Sequence, residues 1–274
     1  MGLMIKKIKK EKICFFTGTR AEFGLLSNLM SLIKKDKNFI LQTIVTGTHT
    51  SNKFGLTVKE IKKRGFHINK QINTPLISDK SENITGAMGK ILSKLSVNLK
   101  NLNPDLIVIL GDRYEALAAG IASVFENIPI AHFHGGESTE GLYDESFRHS
   151  ITKMSYYHFA AHRIYKKKII QLGENPKNVF VIGGMGVDAI KNQNLMTKQN
   201  LEKELKLKFF KKNILITMHP ITLEKNKTEY QIKNLLSFLE SLEDTLIIFT
   251  SPNADTDNNI IINEIRKFIK KNKY

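Results

Sequence analysis

Tryptophan is absent from the 274 residues, cysteine occurs once and proline six times. The lone Cys14 excludes an internal disulfide framework and fits a reducing compartment. No apolar run approaches the roughly 20 residues of a membrane-spanning helix, so no membrane partner is expected. The lysine-rich start, residues 1–12, has no apolar core long enough for a signal peptide. Together these absences point to a soluble cytoplasmic protein. The pattern G-x-G-x-x-G is also missing, which removes the dinucleotide fingerprint.

What is present in excess is positive charge. Lys and Arg number 42 against 26 Asp and Glu, a net charge of +16. Such a balance raises the question of nucleic acid. The lysines, however, scatter over many segments, with short clusters at 6–12, 166–168, 211–212 and 267–273. Aromatics are not interleaved with them as a stacking platform needs. A lysine-rich solvated surface and an anionic substrate fit better, and no nucleic-acid partner is expected.

The chain is organised around residues 105–149. Residues 106–110 (LIVIL) form a continuous apolar run, the mark of a strand buried on both faces. The run ends at Gly111-Asp112-Arg113, and a helical pattern follows. A second run, 130–133, opens into His134-Gly135-Gly136-Glu137. Upstream, 12–18 and 39–46 read as strands, 58–64 as a helix, 68–81 as an irregular loop and 86–99 as a helix. Downstream, 144–155 and 164–172 read as helices, and 158–160 and 179–182 as strands. The βαβα alternation calls for a parallel sheet with helices on both faces. Ligands bind such sheets at the carboxyl ends of the strands, where these polar residues gather. The loop Gly18-Thr19-Arg20-Ala21-Glu22-Phe23-Gly24, between a strand and a helix start, has the anion-binding layout.

A domain boundary falls at 187/188, where a polar stretch begins. Beyond it, 213–218 and 245–250 read as strands and 229–242 and 260–271 as helices. Two parallel strands bury their apolar faces poorly, so the second domain reads as incomplete.

Several stretches, in order, resemble one family: GTRAEFG at Gly18, GDRYE at Gly111, HGGE at His134, DESFRHSITKMS at Asp144, IQLGENP at Ile170 and SPNAD at Ser251. They are similar to the hydrolysing branch of the UDP-N-acetylglucosamine 2-epimerases, which includes enzymes of UDP-N,N′-diacetylbacillosamine. The resemblance implies an α/β, GT-B-like fold of two Rossmann-like parallel-sheet domains. These are 1–187, with most catalytic residues, and a partial nucleotide-binding domain, 188–274. It implies a UDP-sugar substrate, no metal, no nicotinamide or other cofactor, and a homodimer at full length. Members run on for about another hundred residues, so the chain reads as a truncated product or a fragment; that length comes from the resemblance, not from domain-size rules.

The implied reaction, in sialic-acid-like sugar biosynthesis, converts UDP-N-acetylglucosamine to N-acetylmannosamine and UDP. It proceeds by anti elimination to a 2-acetamidoglucal, then hydration. The alternatives are the same chemistry on UDP-N,N′-diacetylbacillosamine, a non-catalytic UDP-binding remnant, or a glycosyltransferase. By resemblance, Asp112, Glu137 and Asp144 carry the proton transfers, while Arg20, Arg148, His149, His219 and Asn253 meet the substrate. Arginine suits the diphosphate because its planar fork matches phosphate oxygens. Asp112 and Asp144 are also placed to cap helices, Asp144 and Arg148 to form an i,i+4 ion pair, and Arg113 and Glu115 to form a local one. His132, His134 and His149 invite a zinc reading. The first two alternate on a strand without a cysteine, which argues against it.

Overall fold

A computed structural model describes residues 9–74, 80–191, 194–224, 226–252 and 255–272. The chain divides into two compact units. Met1–Ile77, Ile84–Glu140 and Asp144–Asn192 make the first; Ser78–Asn83, Gly141–Tyr143 and Gln193–Tyr274 make the second.

The first unit alternates strand and helix: β1 (Glu11–Thr17), α1 (Arg20–Lys35), β2 (Phe39–Val45), α2 (Val58–Lys63), β3 (Lys70–Gln71), α3 (Ser81–Leu102), β4 (Leu106–Leu110), α4 (Tyr114–Phe125), β5 (Ile130–Phe133), α5 (Asp144–Met154), β6 (Tyr157–Ala160), α6 (Arg163–Gln171), β7 (Val179–Val181) and α7 (Met185–Lys191). The sheet order is β3-β2-β1-β4-β5-β6-β7, with every pairing parallel. Successive strands run outward from β1 in one direction and from β4 in the other. The crevice between their carboxyl ends is the switch point at which doubly wound sheets bind ligands.

Side chains alternate across the sheet as the pleat requires. Cys14, Phe16, Ile107, Ile109 and Ile130 pack with Ile91, Leu95 and Leu99 of α3 and Ala118, Ala119 and Ala122 of α4. Phe15, Val108, Leu110, Ala131 and Phe133 pack on the other face with Phe23, Leu26 and Met30 of α1 and Ile61 of α2. Fully burying each large apolar side chain contributes about 1.5–3 kcal/mol, so the doubly covered centre of the sheet is the rigid base of the unit. Cys14 is completely buried there, and burial pushes its thiol up to about 12.

Some sequence expectations change, helix α7 and a helix at Lys198–Leu205 falling where only a polar stretch was expected. The stretch 68–81, expected as irregular loop, contains β3, where Lys70 and Gln71 pair with Ile44 and Val45. An edge strand of two polar residues leaves no hydrophobic period to read. Helix α3 starts at Ser81 rather than 86, because Gly86 and Gly89 dilute a pattern that Ile84, Ala87 and Ile91 nonetheless bury.

The second unit holds α8 (Lys198–Leu205), β8 (Lys212–Ile216), α9 (Thr228–Glu240), β9 (Thr245–Phe249) and α10 (Asn258–Lys271). Strands β8 and β9 pair in parallel. One face packs Ile216, Ile247 and Phe249 against Ile232, Leu236, Ile261 and Ile265. Leu215, on the same sheet, is 68% exposed, as expected of so narrow a sheet. Among the described residues, no helix is long and apolar enough to cross a membrane.

Candidate active site

Strand β4 ends at Leu110, and the chain turns through Gly111 into Asp112 and Arg113. The N-cap position of α4 belongs to Arg113, so Asp112 is not its cap. Asp112 instead forms an ion pair with Arg148 of α5. Arg113 turns the other way and pairs with Glu115 at 3.2 Å, both side chains being almost wholly buried. This is the local pair the spacing suggested. The turn is fixed from below by His132 of β5, whose Nε2 meets Gly111 O at 2.8 Å and whose Nδ1 meets Thr152 Oγ1 at 3.1 Å. Burial pushes this imidazole down to about 3, so it stays neutral. With both ring nitrogens hydrogen-bonded within the protein, His132 serves as a support for the turn.

Strand β5 opens into the HGGE loop. His134 adopts φ +64, a sparsely populated region for a residue with a side chain, and its Nδ1 lies 2.9 Å from Glu137 Oε1. The two glycines answer to space. A Cβ on Gly135 would stand 2.9 Å from both His132 Nδ1 and Thr152 Oγ1, and one on Gly136, at φ +76, would stand 2.6 Å from Tyr165 O. The loop therefore lies directly on β5 and α6, which delivers Glu137 to the rim beside Asp112.

Helix α5 begins at Asp144 and supplies the next groups one turn on. The Arg148 side chain is 6% exposed. Its Nη1 donates to Glu137 O and Glu145 Oε2, each at 2.8 Å; its Nη2 donates to Asp112 and, at 2.9 Å, to Thr139 Oγ1. All four terminal N–H groups thus serve the chain's own oxygens. Arg148, expected at the diphosphate, has its fork filled by protein. His149 Nε2 lies 3.0 Å from the other oxygen of Glu145. The structure therefore brings Asp112, Glu137, Arg148 and His149 into one network, with Asp144 at the head of the helix that carries it.

The first loop behaves differently from the anion site its layout suggests. Thr19 caps α1 by accepting from Glu22 N at 3.3 Å, and the Glu22 carboxyl reaches back to Gly18 N at 2.7 Å and Thr19 N at 3.3 Å. This capping box fills backbone donors that a bound phosphate would otherwise use. Burial, followed by the nearby charge of Glu115, pushes Glu22 up to about 7. His49 completes the buried layer, with Thr17 Oγ1 at 3.0 Å and Thr57 Oγ1 at 2.8 Å, and burial pushes it down to about 4. Arg20 does not join the Asp112 network. It is largely exposed and pairs with Glu60 of α2 at 3.1 Å.

Residues 31–273 match the family model described as UDP-N-acetylglucosamine 2-epimerase. The chain belongs to this family. It is 46% identical over 268 residues to the GDP/UDP-N,N′-diacetylbacillosamine 2-epimerase (hydrolyzing) of Campylobacter jejuni, covering 97% of this chain and 69% of that protein. It is 31% identical to the UDP-N-acetylglucosamine 2-epimerase of Neisseria meningitidis, covering 94% of this chain and 67% of that one. Among solved structures, the UDP-GlcNAc 2-epimerase of Methanocaldococcus jannaschii in complex with UDP-GlcNAc and UDP aligns with a TM-score of 0.75 at 22% identity, over 96% of this chain and 71% of that one. At that identity the likeness speaks to the fold, which is the expected α/β, GT-B type.

In this family member the second unit carries His219 just beyond β8, with Nδ1 3.9 Å from Asp255 Oδ2. Asn253 lies outside the described residues. Sequence reasoning passed over Glu145, Glu22 and His49. Glu145 stood between two residues already singled out, and the other two are polar residues buried by tertiary packing. The one signal available was the T-x-x-E spacing of Thr19 and Glu22, a capping box in a helix start.

Proposed function

We propose that the chain catalyses hydrolysing 2-epimerisation of a UDP-linked 2-acetamido sugar. The observation that supports this best is the sharing of one guanidinium, Arg148, by Asp112 after β4 and the Glu137 loop after β5. Two carboxylates at adjacent strand ends suit a reaction that moves a proton at each face of a sugar ring. His134 Nε2 and His149 Nδ1, buried and without hydrogen-bond partners among the described residues, add polar capacity that a sugar hydroxyl or phosphate would satisfy.

In the proposed reaction a carboxylate takes the C2 proton while the C1–O bond breaks and UDP leaves with its electron pair. The resulting 2-acetamidoglucal then gains hydroxyl at C1 and a proton at C2 from the opposite face. The products are UDP and the free sugar with inverted C2. Asp112, Glu137 and Asp144 are assigned to these transfers. Arg20, His149, His219 and Asn253 are assigned to the UDP-sugar, with residues 188–274 as the nucleotide-binding part. Arg148 is assigned to holding Asp112.

Identity supports UDP-N,N′-diacetylbacillosamine over UDP-N-acetylglucosamine as substrate, 46% against 31% with the respective relatives. The test is incubation with each UDP-sugar in D₂O. UDP release and one deuterium at C2 of the free sugar are expected. Binding of UDP without release would overturn the enzymatic reading, and sugar transfer to an added acceptor would make the chain a glycosyltransferase.

A further inference from the structure

Glu145 connects the loop after β5 with two side chains of its own helix. Its Oε2 accepts from Thr139 N at 2.6 Å and from Arg148 Nη1 at 2.8 Å, while Oε1 meets His149 Nε2 at 3.0 Å. These partners come from the loop after β5 and from the next turn of its own helix. Arg148 in turn reaches Asp112 at the end of β4. A first-turn acid that only complemented the helix dipole would leave its oxygens to water. Both oxygens here are engaged with protein, and Glu145 is held below the usual carboxylate range; burial opposes this, and the bonds from Thr139 and His149 and the charge of Arg148 outweigh it.

We propose that Glu145 is a positioning residue for Asp112, acting through Arg148, and that it ties the loop after β5 to α5. The inference rests on the proposed reaction for its kinetic consequence and on geometry alone for its structural one. With Glu145 in place, the Arg148 fork is held from both sides, by Glu145 and Glu137 O on Nη1 and by Asp112 and Thr139 on Nη2. Without it, Nη1 keeps only Glu137 O, and the less firmly held fork can shift and carry Asp112 away from the sugar. Glu145 touches no reacting atom in this account. It decides whether Asp112 stands where its share of the proton transfers takes place.

Two measurements on the full chain test this. In the first, UDP release is compared for the wild type, Glu145→Gln, Asp112→Asn and the double variant. Displacing a reacting group by about an ångström costs on the order of 100-fold, so E145Q should lower kcat by about that factor with little change in KM. Because Glu145 acts through Asp112, E145Q should add nothing to D112N. Equal slowing in both backgrounds, or an unchanged kcat in E145Q, overturns the proposal. In the second, side-chain NMR follows the Arg148 Nη protons, expected as distinct, slowly exchanging resonances in the wild type and as averaged ones in E145Q. Distinct resonances in E145Q overturn it as well. Failure of the wild type to release UDP counts against the reaction assignment, and the Arg148 resonances then decide the positioning role by themselves.

Discussion

The Nε2 of His132 stands 2.8 Å from the carbonyl oxygen of Gly111, one residue before Asp112. A carbonyl only accepts, so Nε2 carries the proton and Nδ1 accepts from Thr152. The ring is a fixed strut between β4 and α5. Replacing it by alanine leaves a cavity and takes a partner from the part-buried Gly111 carbonyl, and His132→Ala should lower unfolding stability by about 2–4 kcal/mol in urea titrations.

Acid stability follows from the same ring. His132 is pushed down to about 3 and His49 to about 4, against 6.5 when unfolded. Below pH 6.5 the unfolded chain binds protons that the folded chain refuses, so stability falls as pH drops from 6.5 towards 4. The melting temperature of His49→Gln should decline less steeply over that range than that of the wild type.

Glu22 works in the opposite sense. Its carboxyl is pushed up to about 7 from 4.5, so the folded chain holds a proton the unfolded chain has lost. That contribution is complete below pH 4.5 and disappears as pH rises through 7, with a span on the order of 3 kcal/mol. The groups facing it are Glu115, which raises it, and Arg113 with the Gly18 and Thr19 amides, which lower it. Glu22→Gln keeps an acceptor for Gly18 N and should flatten the loss of melting temperature between pH 5 and 8. An unchanged slope would show that Glu22 does not titrate there.

Gly136→Ala should destabilise the first unit. The new methyl group would meet Tyr165 O at 2.6 Å and Ile169 at 2.8 Å, at a backbone φ of +76. Strain and overpacking of this kind cost about 1–3 kcal/mol each. Equilibrium unfolding followed by circular dichroism reads it directly.

Arg20→Ala separates structure from substrate. Its exposed pair with Glu60 contributes at most about 1 kcal/mol, so the melting temperature should hardly move. If Arg20 meets the diphosphate as assigned, KM for the UDP-sugar should rise about tenfold, the loss of one charge-assisted contact. An unchanged KM removes Arg20 from the site.

The sheet was legible because a strand covered on both faces is largely apolar. Residues 106–110 and 130–133 announce β4 and β5 without any alternation to decode. Strand β3 was not, since Lys70 and Gln71 gain their conformation from Ile44 and Val45 and not from their own preference. The site divided in the same way. The ends of apolar runs marked Asp112 and Glu137. Sequence spacing singled out the partners on α5 but not how they are wired, because Arg148 reaches Asp112 across 36 positions. Glu145, adjacent to Asp144, offered no spacing of its own to distinguish it.

The burial of Cys14 in the middle of β1 makes the folded protein silent towards thiol reagents. A single cysteine introduced at an exposed position, for instance in place of Ser138 beside Glu137, would then be the one reactive thiol in the chain. A fluorophore placed there would report on the HGGE loop with no background signal, and no native residue would have to be removed first.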